Sequence, residues 1–416
     1  MELFQQLGAE IESLWLEQNY NEDLFPAIAK EALVRADLPS KLSAWDVVEW
    51  TLGEYELPRQ RDLPGRFADP PITIFSGLRF HIDVYFWFEG TTATHEHAFC
   101  GAFQVLLGSS IHSWYQFETH EAINFFTQIG QMRLKECHLL NVGDTQEIWA
   151  GSQYIHALFH LDQPSATIVV RTDRSPLQLP QFSYHKPGFA IDPFFEEATA
   201  IKKLQVMGTL IRAKREDADA IIARMLAASD LQTSYAILSH LRHLLRANQI
   251  SQLFKLAGPK ERFDKFLQIV ADRHGAAGDM LRAVYERDDM LDHIIERRSF
   301  VADPEHRFFM ALLLNVDERE RIFSLIKQRF PDVDPIEKVL DWVFDLSQTR
   351  VVGVEASNAL GIPDFGDNEM FVLEHLLHGK SDAEVIAAAE TGTNAEDLTA
   401  SIERIRNAVI FRPLIS

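Results

Sequence analysis

Residues 80–88 read FHIDVYFWF, and residues 94–99 read THEHAF. In the first stretch, polar and aromatic side chains alternate with apolar ones, which is the period of a β-strand. One face of this predicted strand carries His81, Asp83, Tyr85 and Trp87. The other face is apolar and suits a core, while the polar and aromatic face meets either solvent or a polar interior.

The second stretch places two histidines at positions 95 and 97. Residues two apart in a strand point to the same side, so the imidazoles of His95 and His97 can aim at one point inside a barrel. Chance alone gives roughly 0.6 such pairs in a chain of this histidine content, so the pair needs support from its surroundings.

Short β-rich runs continue from residue 72 to residue 171, separated by Gly, Asp and Asn turns. Besides the stretch at 80–88 they read ITIF, CGAFQVLLG, IHSWYQF, MRLKECHLL and SATIVVRT. Several short strands at such spacing predict an antiparallel sandwich or barrel. We place this unit at residues 70–175.

The segments on both sides of this unit differ from it. Residues 1–55 have helical periodicity and form a predicted N-terminal helical segment. Residues 176–195 contain four prolines, which predicts an extended strap against the barrel. In residues 196–416 the apolar side chains again recur every 3.6 residues, which predicts a helical domain. We expect its last run, VIFRPLI, to be the β-like tail of a winged-helix-like unit. The predicted fold class is therefore α+β.

Composition narrows the classes of function. The chain has 416 residues, with 61 acidic and 40 basic side chains and a formal net charge of −21. The electrostatic field of this negative charge repels the phosphate backbones of nucleic acids, so we expect no nucleic acid partner. No stretch approaches 18 uncharged apolar residues, and the start lacks the pattern of a secretion signal. With only two cysteines, the composition favours a cytoplasmic protein that does not contact membranes.

Flanking motifs support the histidine pair. Gly90 precedes it, Gly108 follows it, and Gly143-Asp144 opens a segment that ends in GSQYIHALFHLD. In this order and separation the motifs resemble those of the cupin superfamily. The resemblance implies a double-stranded β-helix barrel with a metal ion held by His95, His97 and His156.

Within that superfamily, the layout resembles the cysteine dioxygenase-like group of thiol dioxygenases, which have three histidine ligands. The stretches that carry this resemblance are FHIDVYFWFEGTTATHEH and IHALFHLDQPSATIVVRT. The interval AFCGAFQ contains no carboxylate to serve as a fourth ligand. The resemblance implies Fe(II) as the metal and O₂ as a co-substrate. Zn, Mn, Ni and Co accept the same ligands, so ligand type leaves the metal open.

The sequence also departs from the thiol dioxygenase pattern. The Arg that grips the substrate carboxylate in that group has no basic counterpart near residues 70–72, and Arg171 stands where the group has a Tyr. We expect Arg171 either to bind an anionic group of the substrate or to form an ion pair with a carboxylate. Tyr85 and Trp87 are expected to line the substrate pocket. His160 is expected to hydrogen-bond the substrate or a ligand, or else the backbone.

These observations predict a mononuclear non-haem Fe(II) oxygenase acting on a small polar molecule, amino-acid-like or thiol-like. Arg171, Tyr85 and His160 are its candidate catalytic residues. One alternative is a metal-dependent lyase, isomerase or hydrolase that uses no O₂. Another is a ligand sensor whose helical domain binds a partner. We also expect the helical domain to form a homodimer interface.

Overall fold

The computed structural model describes residues 1–63, 65, 67–88, 93–195, 197–247, 259–298, 300–350, 358–389 and 395–415. Gly90 of the first motif lies outside these residues. The first helices are α1 Glu2–Glu17, α2 Phe25–Ala36 and α3 Ala44–Gly53. In α1 the buried residues recur at helical spacing and include Phe4, Leu7, Ile11 and Trp15. Helix α3 begins at a capping box in which Ser43 and Asp46 satisfy each other's backbone N–H.

The strands follow in one block. They are β1 Pro71–Ser76, β2 Phe80–Trp87, β3 Gly101–Leu107, β4 Ser110–Asn124, β5 Thr127–Leu140, β6 Thr145–Ile148, β7 Ile155–His160, β8 Ser165–Thr172, β9 Ser183–His185 and β10 Phe189–Ile191. In the described chain they form two five-stranded sheets: sheet A, ordered β1-β2-β8-β3-β6, and sheet B, ordered β7-β4-β5-β10-β9. The strand pairs are antiparallel, and β9 and β10 belong to the predicted strap.

The two sheets enclose one interior. Trp87 of β2 and Phe103 of β3 in sheet A share a buried cluster with Leu140 of β5 and Leu158 of β7 in sheet B. Strand β2 packs on both of its faces, since all eight of its residues are buried. Its aliphatic side chains, such as Val84, pack outward against α1–α3. The α+β fold is thus confirmed, with two antiparallel sheets around one interior, and the polar and aromatic face of β2 turns inward.

The remaining helices lie beyond the barrel. They are α4 Ala198–Arg212, α5 Ala218–Ala228, α6 Leu231–Ala247, α7 Pro259–His274, α8 Ala276–Arg298, α9 Pro304–Asn315, α10 Arg319–Arg329, α11 Pro335–Ser347, α12 Asp367–Leu377, α13 Asp382–Ala388, α14 Ala395–Asn407 and α15 Arg412–Ile415. Ile111, Leu139 and Phe159 of sheet B are buried in one cluster with α8–α15. Phe189 of the strap is buried among α4–α8. No helix in the described ranges has both the length and the apolar character needed to span a bilayer.

The prediction of a β-like tail is wrong. Residues Val409–Phe411 form a 3₁₀ turn that leads directly into α15. Ile410, Phe411 and Leu414 are buried, and their spacing brings them to one side of a helical turn, whereas strand alternation would expose one of the adjacent pair. Packing against the helical core therefore decides the conformation of this tail.

Candidate metal centre

The segment that carries His95 is fixed between two strands. The backbones of His95 and His156 exchange a pair of hydrogen bonds, each 2.9 Å long. On its other side, the Tyr184 N–H of the strap donates to the Thr94 carbonyl at 2.8 Å. His97 is held separately, because its carbonyl accepts from the Gly151 N–H at 2.8 Å. Sheet B and the strap therefore bring the three predicted histidines together.

The imidazole nitrogens of His95, His97 and His156 converge. One ring nitrogen from each lies within 4.8 Å of the others, and within the described residues this is the group of side chains suited to a metal ion. The Nε2 atoms of His97 and His156 are 2.7 Å apart. The Nδ1 of His95 is 2.6 Å from the Ala93 carbonyl oxygen. This contact occupies Nδ1, so Nε2 is the nitrogen that can bind a metal ion. Three Nε2 atoms thus face one point.

Burial sets the protonation of these histidines. It lowers the pKa of His95, and burial together with the neighbouring imidazoles lowers the pKa of His97 and His156 well below the ordinary value. All three rings are therefore neutral at physiological pH. Neutral imidazole is the form that binds metal ions, so the residues present fit a metal with nitrogen ligands.

A cavity of about 750 Å³ opens over this point, and His95 and His97 line it. Tyr85, Trp87 and Arg171 also line it. The structure thus brings the predicted substrate-binding residues to the same space as the histidines. The wall also carries the aromatic side chains of Phe67, Phe99 and Phe194, and it includes charged groups such as Asp62 and Arg174. The cavity therefore combines apolar shielding with polar and charged groups.

Arg171 has an uncommon environment. Its guanidinium carbon lies 3.4 Å from the centre of the Phe99 ring, and that ring is 4.3 Å from the His97 ring. Its Nη1 is 3.5 Å from the Tyr85 hydroxyl, and its Nε is buried without a hydrogen-bond partner. In the part of the chain that the structure describes, no ion pair joins Arg171 to a carboxylate. Among the described residues, the ion pair expected as the alternative role of Arg171 is therefore not formed.

Tyr85 belongs to a polar chain on the inner face of β2. Its hydroxyl donates to Asp83 Oδ2 at 3.0 Å, and the Thr73 hydroxyl donates to Asp83 Oδ1 at 2.7 Å. His81 Nε2 is 3.3 Å from Asp83, and His81 Nδ1 is 3.5 Å from Asp173 at the cavity mouth. Burial raises the pKa of Tyr85, so its hydroxyl stays protonated. Burial opposes ionisation of Asp83, but contact with His81 and the Thr73 hydrogen bond hold the pKa of Asp83 below its ordinary value.

His160 lies apart from the cavity. Its ring stacks on Trp87, with centroids 4.6 Å apart, and its Nδ1 is 2.8 Å from the Ser165 hydroxyl. Trp87 lines the cavity and His160 does not. In this arrangement His160 supports the position of Trp87, and direct contact with a substrate in the cavity is not available to it.

Sequence reasoning missed two features of the site. His112, in β4, is fully buried, and its Nε2 is 2.8 Å from His156 Nδ1. Arg61, which precedes the barrel, lines the cavity mouth and pairs with Asp173 at 2.9 Å. Both depend on contacts between segments distant in the chain, and the spacing of residues within one strand carries no signal for them.

Comparison with known proteins gives only partial matches. Neither a protein-family model nor a curated protein matches the chain. Among solved structures, a cupin-2 domain containing protein from Shewanella frigidimarina has 14% identity and a TM-score of 0.19, over 32% of this chain and 94% of that chain. Hydroquinone 1,2-dioxygenase from Sphingomonas, with 4-hydroxybenzoate bound, has 10% identity and a TM-score of 0.22, over 30% and 87%. DMSP lyase DddQ from Ruegeria pomeroyi has 14% identity and a TM-score of 0.22, over 43% and 95%.

Proposed function

We propose that this protein is a metal-dependent enzyme whose metal ion is bound by His95, His97 and His156. The observation that carries the proposal is the convergence of three neutral imidazoles at a cavity whose wall carries Arg171. Ligands of a structural site usually close around the ion, whereas three protein ligands beside an open cavity leave positions for a substrate.

The donor set is compatible with a mononuclear Fe(II) oxygenase, which is the activity we propose. Three neutral ligands leave a divalent ion its full positive charge and several open positions. Ferrous iron in such a site supplies redox chemistry toward O₂, with a substrate held next to it. Zn, Mn, Ni and Co fit the same three nitrogens, so metal identity has to be measured.

The chain's own side chains would orient the substrate. Arg171 offers a planar fork whose Nε has no partner, and it lies one aromatic ring away from His97. A guanidinium so close to a divalent ion is unfavourable unless an anion lies between them. We therefore infer a small substrate with a carboxylate or similar anionic group, amino-acid-like or thiol-like. Tyr85 would contact the same group by turning its hydroxyl proton from Asp83 to the substrate, while Trp87 and Phe99 would exclude water.

A second candidate is an O₂-independent lyase or isomerase. The chain from Tyr85 through Asp83 and His81 to Asp173 favours it, because this chain leads from the cavity wall to a side chain that is 49% exposed. Such a series of groups can carry a proton between substrate and solvent when His81 Nδ1, which has no hydrogen-bond partner in this structure, turns to Asp173. In this case the metal would act as a Lewis acid, and turnover would not require O₂.

The test begins with protein purified without oxygen and analysed for metal. His97→Ala should weaken metal binding by at least about 100-fold, because a ligand of the ion is lost, while the control His160→Ala should keep its metal. Bound metal should also raise the melting temperature of the parent and of the control, and leave that of His97→Ala unchanged. Full occupancy in His97→Ala would refute the site.

An oxygen electrode then separates the two candidates. The loaded protein is presented with a panel of small carboxylates that includes amino acids and thiols. Substrate-dependent O₂ uptake supports the oxygenase. Product formation at the same rate with and without O₂ would instead establish the lyase or isomerase.

A further inference from the structure

His112 lies directly behind one of the proposed metal ligands. Strands β4 and β7 pair so that Trp114 is opposite His156, which brings the side chain of His112 diagonally across to that ligand. Its Nε2 is 2.8 Å from His156 Nδ1, on the far side of the ring from the Nε2 that faces His97. His112 is completely buried, and its ring stacks on Trp114 with centroids 3.8 Å apart and an interplanar angle of 26°. Packing therefore holds this ring in place.

We propose that His112 is a positioning residue that fixes the tautomer and the orientation of His156 in the metal site. The inference rests on the proposed metal centre. When Nε2 of His156 binds an ion, its proton must be on Nδ1, and that N–H requires an acceptor. His112 Nε2 is the acceptor at hydrogen-bond distance, so His112 would carry its own proton on Nδ1, which is buried without a hydrogen-bond partner in the described residues. A ligand ring that is held at its second nitrogen loses less freedom on binding the ion.

The acceptor is neutral, and this affects the ion. The second nitrogen of a ligand histidine is commonly bonded to a carboxylate, a carbonyl or water, and a carboxylate makes the ligand more basic. Here the partners are the Ala93 carbonyl for His95 and an imidazole for His156. Neither partner adds negative charge, so the ion keeps a strong attraction for an anionic substrate, in accord with the position of Arg171.

Metal affinity tests the role of His112 without any substrate. Competition with a chromophoric chelator gives the Kd for Co(II) or Zn(II) in the parent, His112→Phe, His112→Gln and the matched control His160→Phe. His112→Phe keeps a flat ring but has no acceptor, so its Kd should rise by about 10-fold to 100-fold. In His112→Gln the side-chain carbonyl can occupy the place of Nε2, so its Kd should return to within a few fold of the parent value. His160→Phe should match the parent, because that ring does not contact the three ligands.

A second measurement uses the unaltered protein, so it does not depend on any variant folding. With ¹⁵N-labelled histidine and bound Zn(II), long-range ¹H–¹⁵N correlations should show His156 protonated at Nδ1 and metal-bound at Nε2. His156 protonated at Nε2, or an unchanged Kd in a folded His112→Phe, would overturn the role of His112 while leaving the three-histidine site intact. A parent protein that bound no metal would overturn both.

Discussion

At the scale of single residues, Arg171 is the side chain that we propose binds the anionic group of the substrate. It lies over Phe99 and beside Tyr85, without an ion pair in the described residues, and this position supports the proposed binding role. Arg171→Lys keeps the charge and loses the planar fork, so it should weaken binding of small carboxylates by roughly 1 to 3 kcal/mol.

Acetate or formate titrated into Co(II)-loaded protein provides the measurement for Arg171→Lys, through the visible spectrum of the metal. Arg79→Lys is the matched control, because the Arg79 guanidinium also lies over an aromatic ring, that of Tyr20, at 4.2 Å. Anion affinity equal to that of the parent, together with a lowered melting temperature, would contradict the binding role.

His160 provides a prediction about pH. Burial, aided by the charge of Arg298, lowers the pKa of His160 to about 3. Below about pH 6.5 the unfolded chain takes up a proton at this residue and the folded chain does not, so stability decreases as the pH falls toward 3. Between pH 7 and pH 5 the parent should therefore lose about 2 kcal/mol more unfolding free energy than His160→Phe.

Urea unfolding at the two pH values measures this difference. The surface substitution His120→Gln is the control, because its exposed side chain should leave the pH dependence of the parent unchanged. An equal loss in the parent and in His160→Phe would show that this ring is not protected from protons in the folded state.

The residue scale also shows what the sequence can reveal about the site. The alternation of β2 follows from strand geometry, so its polar and aromatic residues can be predicted to share one face. His95 and His97 lie outside the strands, at isolated bridges to His156 and Ala150, and their rings still meet at the site. The sequence alone does not identify His112 as a residue of the site, because its contact with His156 depends on the register between β4 and β7. Among the residues predicted to be catalytic, His160 was misplaced for a similar reason: its strand face is right, but Trp87 stands between it and the cavity.

At the scale of secondary-structure elements, Gly101 controls the spacing of β3 and β8. A Cβ at this position would lie 1.9 Å from the Val170 carbonyl oxygen and 2.9 Å from the Arg171 Cα. This close approach also explains why no larger side chain, including a carboxylate ligand, stands at this point of AFCGAFQ. Gly101→Ala should force the two strands apart and lower the unfolding free energy by at least about 2 kcal/mol.

Denaturant unfolding checks this value, and Gly53→Ala is the matched control. Gly53 lies at the end of α3, and a Cβ there would meet no atom within 4 Å. Because alanine favours the helix, this control should be neutral or up to about 1 kcal/mol more stable. A Gly101→Ala protein as stable as the parent would show that the strands can separate at little cost.

Element types were more predictable than element ends. Apolar residues recur every 2 residues in the barrel strands and every 3.6 residues in the flanking helices. This difference distinguishes the two kinds of element, because each spacing places the apolar side chains on one packed face. The last run, Val409–Ile415, was predicted incorrectly because a short apolar run has no period of its own and takes its shape from the helical core around it.

At the scale of the whole molecule, the helical domain and the strap complete the barrel. Sheet B buries Ile111 and Phe159 under α8–α15, and the strap adds β9 and β10 to the same sheet. The sequence indicates that a helical domain exists, but which sheet it covers depends on long-range packing that local patterns do not record. The strap also contacts the metal-site segment, because the Glu96 carboxylate accepts hydrogen bonds from the Phe182 N–H at 3.1 Å and the Tyr184 hydroxyl at 2.7 Å.

This arrangement predicts one cooperative unit that metal binding strengthens. Phe182, Tyr184 and Phe189 of the strap are buried, so a protease reaches the part of the strap that contains β9 and β10 only after this part leaves sheet B. Leaving the sheet also frees the Thr94–Glu96 backbone that positions His95, so bound metal should oppose it. We expect limited proteolysis between residues 175 and 195 to be slow, and slower still with Zn(II) in the parent but not in His97→Ala. Rapid cleavage that released two independently stable fragments would contradict this, since it would require a strap that contributes to neither the fold nor the metal site.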